Sequence, residues 1–216
     1  MDPVLMTIFI VAFIISVIFH EVAHGWVANY YGDDTARISG RLSLNPLVHI
    51  DPIGSILVPF MLIISSAGFI FGWAKPVPVN PYRLSGGAKA YRLVTLAGVA
   101  TNLFLAIAAA LVLKAAIQFF GLGTDNLGIL FFSALMQVNI ILAVFNILPL
   151  PGFDGWNFLT TIGPIARLIS QTPLGNPLFI AQYGLFISIL LLFLLLPLIS
   201  VLFSFVFGLF IIIFGL

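Results

Sequence analysis

The chain has 216 residues, of which 62% are hydrophobic and only 7% charged, with a formal net charge of +1. A soluble domain carries about 25% charged residues, so the composition excludes one and points to a polytopic membrane protein. The absence of cysteine excludes disulfides, thiolate metal sites and a catalytic thiol, and no basic cluster with interleaved aromatics suggests nucleic acid.

A membrane span takes about 20 apolar residues. The first charge-free stretch, Pro3 to Phe19, lacks the basic leader and small-residue cleavage site of a signal peptide and is read as a retained span. Further stretches run from Pro52 to Ala74, Leu93 to Leu113, Asn126 to Phe153 and Leu168 to the end. The last is long enough for two passes, with Pro197 as the turn between them. The expected fold is all-α and polytopic, with five to six transmembrane helices in one domain, residues 1–216. Its core covers residues 3–170, and residues 176–216 form a helical hairpin.

Two polar connectors carry most of the charge. In residues 32–51, Ile38, Leu42 and Leu44 alternate partly with Ser39, Arg41 and Ser43, and Gly40 can turn. This pattern predicts a short β-hairpin at about residues 36–45. Residues 75–92 hold three prolines and four basic residues and read as a loop. Arg37 and Arg41 lie in the first connector, and Lys75, Arg83, Lys89 and Arg92 in the second. The positive-inside rule then places both on the cytosolic face, so residues 52–74 are expected to enter the membrane and return. Lys114 is the one basic residue on the opposite side, where it can snorkel from a helix end. Trp26 and Trp73 read as interfacial anchors.

The chemistry concentrates in Val17–Trp26, VIFHEVAHGW. A charge at membrane depth costs about 2.5–3.5 kcal/mol, so this polar trio in an apolar run needs compensation. His20 and His24 are four apart and share one helix face, where they can hold a single metal ion. Glu21 sits about 100° round the helix, placed to act as general base on water without being a ligand. Catalytic zinc takes three protein ligands and leaves the fourth position open. The third ligand has three candidates: His49, Asp51 and Asp154. His49 and Asp51 sit in the polar connector, where hydrogen-bonded turns are the plainer reading. Asp154 follows Pro149, Pro151 and Gly152, which break a span. Irregular backbone at that depth must face protein or a water-filled cavity. Asn139 and Asn146 share a helix face and either line such a cavity or bond between helices.

HEVAHGW, then LAGVATNL (Leu96–Leu103), then FNILPLPGFDG (Phe145–Gly155), in this order and within hydrophobic segments, resemble the site-2 protease family of intramembrane zinc metalloproteases. The connector GDDTARISGRLSLNPLVHIDPIG and the stretch FGWAKPVPVNP resemble its compact subgroup without PDZ or CBS domains. The resemblance covers about residues 15–160. It implies that His20, His24 and Asp154 bind one Zn²⁺, that Glu21 is the catalytic acid/base, and that Asn102 holds the substrate or its oxyanion. Two positions depart from the family pattern: Gly98-Val99 stands where Gly-Pro is frequent, and Phe153-Asp154-Gly155 where Leu-Asp-Gly is usual. Neither removes a ligand.

Depth agrees with this reading. With Arg92, Tyr31-Gly32 and Arg167 as interface markers, Asn102, His24 and Asp154 lie about 15 Å, about 10 Å and at most about 20 Å below the cytosolic face. The expected protein is therefore a multi-pass prokaryotic membrane endopeptidase that cuts transmembrane segments of other proteins, with its active site towards the cytosol. The hairpin at 36–45 is expected to border that site and pair with extended substrate. Two rivals are a metal transporter and an inactive membrane adaptor. A transporter needs a path of polar groups, yet Glu21 and Asp154 belong to one site. An adaptor has no use for Glu21.

Overall fold

The computed structural model describes residues 2–65 and 72–216. Among them four helices are long and apolar enough to cross a membrane. They are α1 (Pro3–Tyr30), α4 (Gly87–Phe120), α5 (Leu127–Asn146) and α8 (Pro177–Phe214). Shorter helices fill the connections: α2 (Thr35–Ile38), α3 (Val58–Ile64), α6 (Asp154–Leu159) and α7 (Gly163–Ser170). The described residues form an all-helical fold with no strand, and the four long apolar helices suit a membrane protein.

Helices α1, α4 and α5 pack against one another and form the centre, while α8 lies against α4 and α5. Their contact is lined with small side chains: Ala12 and Ser16 on α1, Ala106, Ala109 and Ala110 on α4, and Ala134 and Ala143 on α5 are all buried. Lipid tails are as apolar as leucine, so helices associate in a membrane through close van der Waals approach, which small residues allow. The large aliphatic residues and phenylalanines accordingly face outward, with Phe104, Leu111, Phe186 and Leu194 all exposed on the protein surface.

Three expectations need correction. No β-hairpin forms at 36–45. Thr35–Ile38 makes one helical turn, after which Gly40 takes φ +67°. The N–H of Gly40 donates to the Arg37 carbonyl at 3.0 Å, and that of Arg41 to Ala36 at 2.9 Å. This pair of bonds is a Schellman motif, in which glycine ends a helix. A glycine with positive φ serves a hairpin turn and a helix end equally well, and the partial alternation around it spanned too few residues to decide. The C-terminal hairpin is likewise absent. Residues Pro177–Phe214 form one helix with Pro197 inside it, because neighbouring groups in a membrane helix can accommodate a proline. Among the described residues four helices have the length and apolarity of a span, where five to six are expected.

Residues 52–74 are expected to enter the membrane and return. Residues 66–71 lie outside the described ones, so the course of the whole stretch is not described. Its first part is helical, as Pro52–Leu57 and then α3, and only Pro52–Ile64 is continuous apolar helix. Its two ends meet. The Trp73 N–H donates to the Gly54 carbonyl at 3.1 Å, the Ser55 hydroxyl to the Trp73 carbonyl at 2.8 Å, and the Lys75 N–H to the His49 carbonyl at 2.9 Å. A segment whose ends are bonded together starts and finishes at one level. Cysteines introduced for exposed Leu44 and Tyr82 should therefore be labelled by an impermeant reagent from the same membrane face, and one at Asp125 from the opposite face. Labelling of Tyr82→Cys and Asp125→Cys from one face would contradict this topology.

Asp33 joins the two polar connectors. It is fully buried and accepts from the Thr35 hydroxyl, the Thr35 N–H at 3.1 Å and the Asn80 N–H at 2.6 Å. Burial pushes its carboxyl up, but bonds from the Thr35 hydroxyl, Asn80 and Thr35 outweigh it and hold the group below the usual carboxylate range. A pKa lower in the folded state than in the unfolded one favours folding wherever the unfolded carboxyl would be ionised. The gain is complete above the unfolded value of about 3.9 and is lost as pH falls through the folded value. Asp33→Asn should thus destabilise the protein by about 1–3 kcal/mol at neutral pH. The difference in melting temperature from wild type should narrow below about pH 4.

Candidate metal centre

Three elements bring the polar residues together. His20 and His24 lie in the second half of α1, one turn apart on its inner face. Asp154 is the first residue of α6, whose position follows from the early end of α5. Pro149 and Pro151 cannot continue a helix, so α5 stops at Asn146 while still among other helices, and residues 147–153 run irregularly. Their backbone is supplied locally: Leu148 N–H donates to the Phe145 carbonyl, Leu150 N–H to Leu148 and Phe153 N–H to Leu150. The Ser188 hydroxyl, from α8, donates to the Pro151 carbonyl at 2.6 Å. Gly155 is needed beside Asp154, since a Cβ there would lie 2.1 Å from the Ile147 carbonyl oxygen.

The result is a compact trio. His20 Nε2 and His24 Nε2 are 3.1 Å apart, and the Asp154 carboxylate lies 3.4 Å from the first and 3.3 Å from the second. The trio is the one group of three or more potential metal ligands among the described residues. Zinc–ligand bonds of 2.0–2.1 Å at tetrahedral angles separate ligand atoms by about 3.3–3.4 Å, so the spacing observed suits a tetrahedral ion. The charges suit one too. His24 Nδ1 donates to the Val94 carbonyl at 2.7 Å, which leaves Nε2 with its lone pair facing the trio. Asp154 Oδ2 is buried without a hydrogen-bond partner. Lone pairs converging in a buried place repel one another, and a cation removes the conflict. The donor set, two imidazoles and a carboxylate, fits Zn²⁺.

Glu21 is outside the trio. Its Oε2 accepts from the Val77 N–H at 2.7 Å, in the irregular stretch that follows Trp73. Arg41 holds that stretch through the carbonyls of Lys75 and Pro76. Asn102 is fully buried on α4, with Oδ1 2.6 Å from His20 Nδ1 and Nδ2 2.7 Å from Asn139 Oδ1. It therefore meets His20 on the ring nitrogen opposite the trio. Both ends of the amide are engaged inside the protein.

His49 and Asp51 are elsewhere. His49 Nε2 donates to the Ser43 carbonyl at 2.8 Å, and Asp51 accepts from the Ile53 and Gly54 N–H groups, so both take the hydrogen-bonded turn roles. Asn139 bonds between helices; Asn146 bonds back to the Leu142 carbonyl within α5. Sequence reasoning noted Gly98 only as part of a departure from the family pattern and passed over Val94 and Val77. The last two act through main-chain atoms, which no residue type announces. Gly98 had a signal, a glycine inside an apolar helix at the level of the histidines.

Comparison with known proteins agrees with the geometry. The chain is 39% identical over 193 residues to "Putative zinc metalloprotease YwhC" of Bacillus subtilis (strain 168), covering 86% of this chain and 83% of that protein. It is 32% identical over 155 residues to Rip2 of Mycolicibacterium smegmatis, described in the same words, covering 69% of this chain and 55% of that protein. For Rip2 of Mycobacterium tuberculosis the identity is 30% over 147 residues, or 68% of this chain and 54% of that one.

The chain belongs to the site-2 protease family of zinc metalloproteases. No family model matches the chain, and no solved structure does. Relative to the Rip2 proteins this family member spans about half their length. Within the site, Gly98 is the tightest steric constraint. A Cβ at that position would lie 2.4 Å from both His20 Cε1 and His24 Nε2. Gly98→Ala should displace the imidazoles and lower bound zinc, measured by elemental analysis of purified protein, at least tenfold. Full zinc occupancy in that variant would show that the rings have room to move.

Proposed function

We propose that this protein is a zinc-dependent intramembrane endopeptidase that hydrolyses peptide bonds within transmembrane segments of other membrane proteins. The observation that carries the reading is the His20–His24–Asp154 trio, set among membrane-spanning helices at the spacing a tetrahedral ion requires. Its catalytic core and site face the cytosolic side, by the placement of Arg37, Arg41, Lys75, Arg83, Lys89 and Arg92 in the two connectors.

His20, His24 and Asp154 hold the ion. Zinc in such a site supplies Lewis acidity to a carbonyl and to water. Glu21 supplies the proton chemistry. Its carboxylate accepts a proton from the attacking water and returns it to the leaving amine. The Val77 N–H fixes one carboxylate oxygen, Oε2, and leaves Oε1 for this exchange. Burial among helices limits bulk water at the site, which raises the effect of every charge there. A substrate helix hides its carbonyls in internal hydrogen bonds, so it must open locally before attack, and its backbone groups must then find partners in the protein.

A transporter reading lacks support. Among the described residues His20, His24 and Asp154 converge on one place rather than forming a path. The test separates ion from base. His20→Ala, His24→Ala and Asp154→Ala should each lose bound zinc. Glu21→Gln should retain zinc and cut a model transmembrane substrate at least a hundredfold more slowly, as expected for loss of a general base. Undiminished cleavage by Glu21→Gln would overturn the catalytic assignment. Retained zinc in Asp154→Ala would overturn the third ligand.

A further inference from the structure

We propose that Asn139 and Ser16 are positioning residues for the metal centre, acting through Asn102 to fix the tautomer of His20. The proposal rests on the reading of His20 as a metal ligand. A neutral imidazole carries one proton, and only the other nitrogen can bind a metal. His20 serves the trio only when its proton is on Nδ1. That nitrogen faces the side chain of Asn102, and an amide offers either its oxygen or its NH₂. Asn102 turned the other way would donate to Nδ1, send the proton to Nε2 and close the ligand position.

The direction is decided further along the chain of bonds. The Leu135 carbonyl can only accept. It lies 2.8 Å from the amide nitrogen of Asn139, so that end of Asn139 is the NH₂. The Asn139 oxygen therefore points to Asn102, 2.7 Å away. The Asn102 atom facing it must be nitrogen, which leaves the Asn102 oxygen towards His20. His20 Nδ1 must donate to that oxygen, and Nε2 keeps its lone pair. Ser16 closes the remaining valence. Its hydroxyl donates to the Ala12 carbonyl at 2.7 Å and so accepts the second N–H of Asn139 at 2.8 Å. Ser16, Asn102 and Asn139 are each fully buried. Polarity is thus passed from two main-chain carbonyls, on α1 and α5, through α4 to the ring.

The competing account is that these bonds only tie three helices together. Two measurements separate the accounts, both on the full chain in detergent. The first needs no variant of the network. Zinc-free protein labelled with ¹⁵N-histidine, at about pH 8.5 where imidazole is neutral, reports the tautomer through the ring nitrogen shifts. The His20 signals are assigned by their loss in His20→Gln. Protonation at Nδ1 is expected, and protonation at Nε2 overturns the proposal. The second is a double-substitution cycle on zinc affinity, read by chelator competition. Asn139→Ala should weaken zinc binding about ten- to hundredfold. In an Asn102→Asp background, whose carboxylate can only accept from His20, the same change should cost less than about threefold. Equal losses in both backgrounds would assign the network to packing alone and overturn the tautomer role. A wild-type protein that binds no zinc would sink the proposed function itself, whereas normal zinc binding that ignores Asn139→Ala sinks only this inference.

Discussion

The rest of the structure depends on one electrostatic conflict. Two imidazole nitrogens and a carboxylate are held within 3.1–3.4 Å of one another, buried among apolar helices. At an interior dielectric such a cluster of lone pairs is strongly unfavourable. It is stable with a cation at its centre and costly without one. Everything packed around the cluster prevents the ordinary relief, in which the side chains turn away. Gly98 brings α4 close against both rings, the Val94 carbonyl and Asn102 hold the far side of each ring, and the seat of α6 fixes Asp154. Asp154 also lies in the first turn of α6, where the positive end of the helix dipole favours a carboxylate.

The irregular stretch 147–153 carries the largest backbone cost in this arrangement. Each unmet peptide group at membrane depth costs several kcal/mol. The chain meets the demand in two ways. Tight turns bond Leu148, Leu150 and Phe153 to nearby carbonyls, and Ser188 reaches from α8 to the carbonyl of Pro151. Helix α8 therefore has a definite part in the site despite its exposed, lipid-suited surface. It supplies the donor that lets the loop before Asp154 exist. Gly184, one turn earlier on the same helix, faces Pro151 as well, with space for ordinary contact only.

Much of this was legible in the sequence because membrane chemistry leaves few alternatives. The i, i+4 histidines with Glu21 were readable from spacing, and Asp154 stood out after Pro149 and Pro151. The resemblance then selected it over His49 and Asp51. The broad architecture was readable from hydropathy, but the count of spans was not. Hydropathy records that residues 176–216 are apolar; it does not say whether Pro197 bends the chain back, since a membrane helix can absorb one. The hairpin failed for a local reason: Gly40 with its neighbours satisfies the Schellman pattern, whose hydrogen bonds depend on residues three to five apart. Asn102 was legible as a site residue, but its contact was not. Its partner is the back of His20, a fact of helix rotation that no linear pattern contains. The Val77 N–H and the Val94 carbonyl were invisible for a deeper reason, because every residue but proline carries the same main-chain donor and every residue the same acceptor.

That last point explains the composition of the stretch Lys75–Asn80. Pro76 and Pro78 have no N–H, so Val77 is the one donor between Lys75 and Val79, and it is spent on Glu21. The neighbouring donors are occupied too: Lys75 bonds the His49 carbonyl and Asn80 bonds the buried Asp33. Arg41 holds the carbonyls of Lys75 and Pro76 from the first connector. The two connectors are thus welded into one cap, and the placement of the Glu21 carboxylate is set by that cap rather than by the helix that carries it.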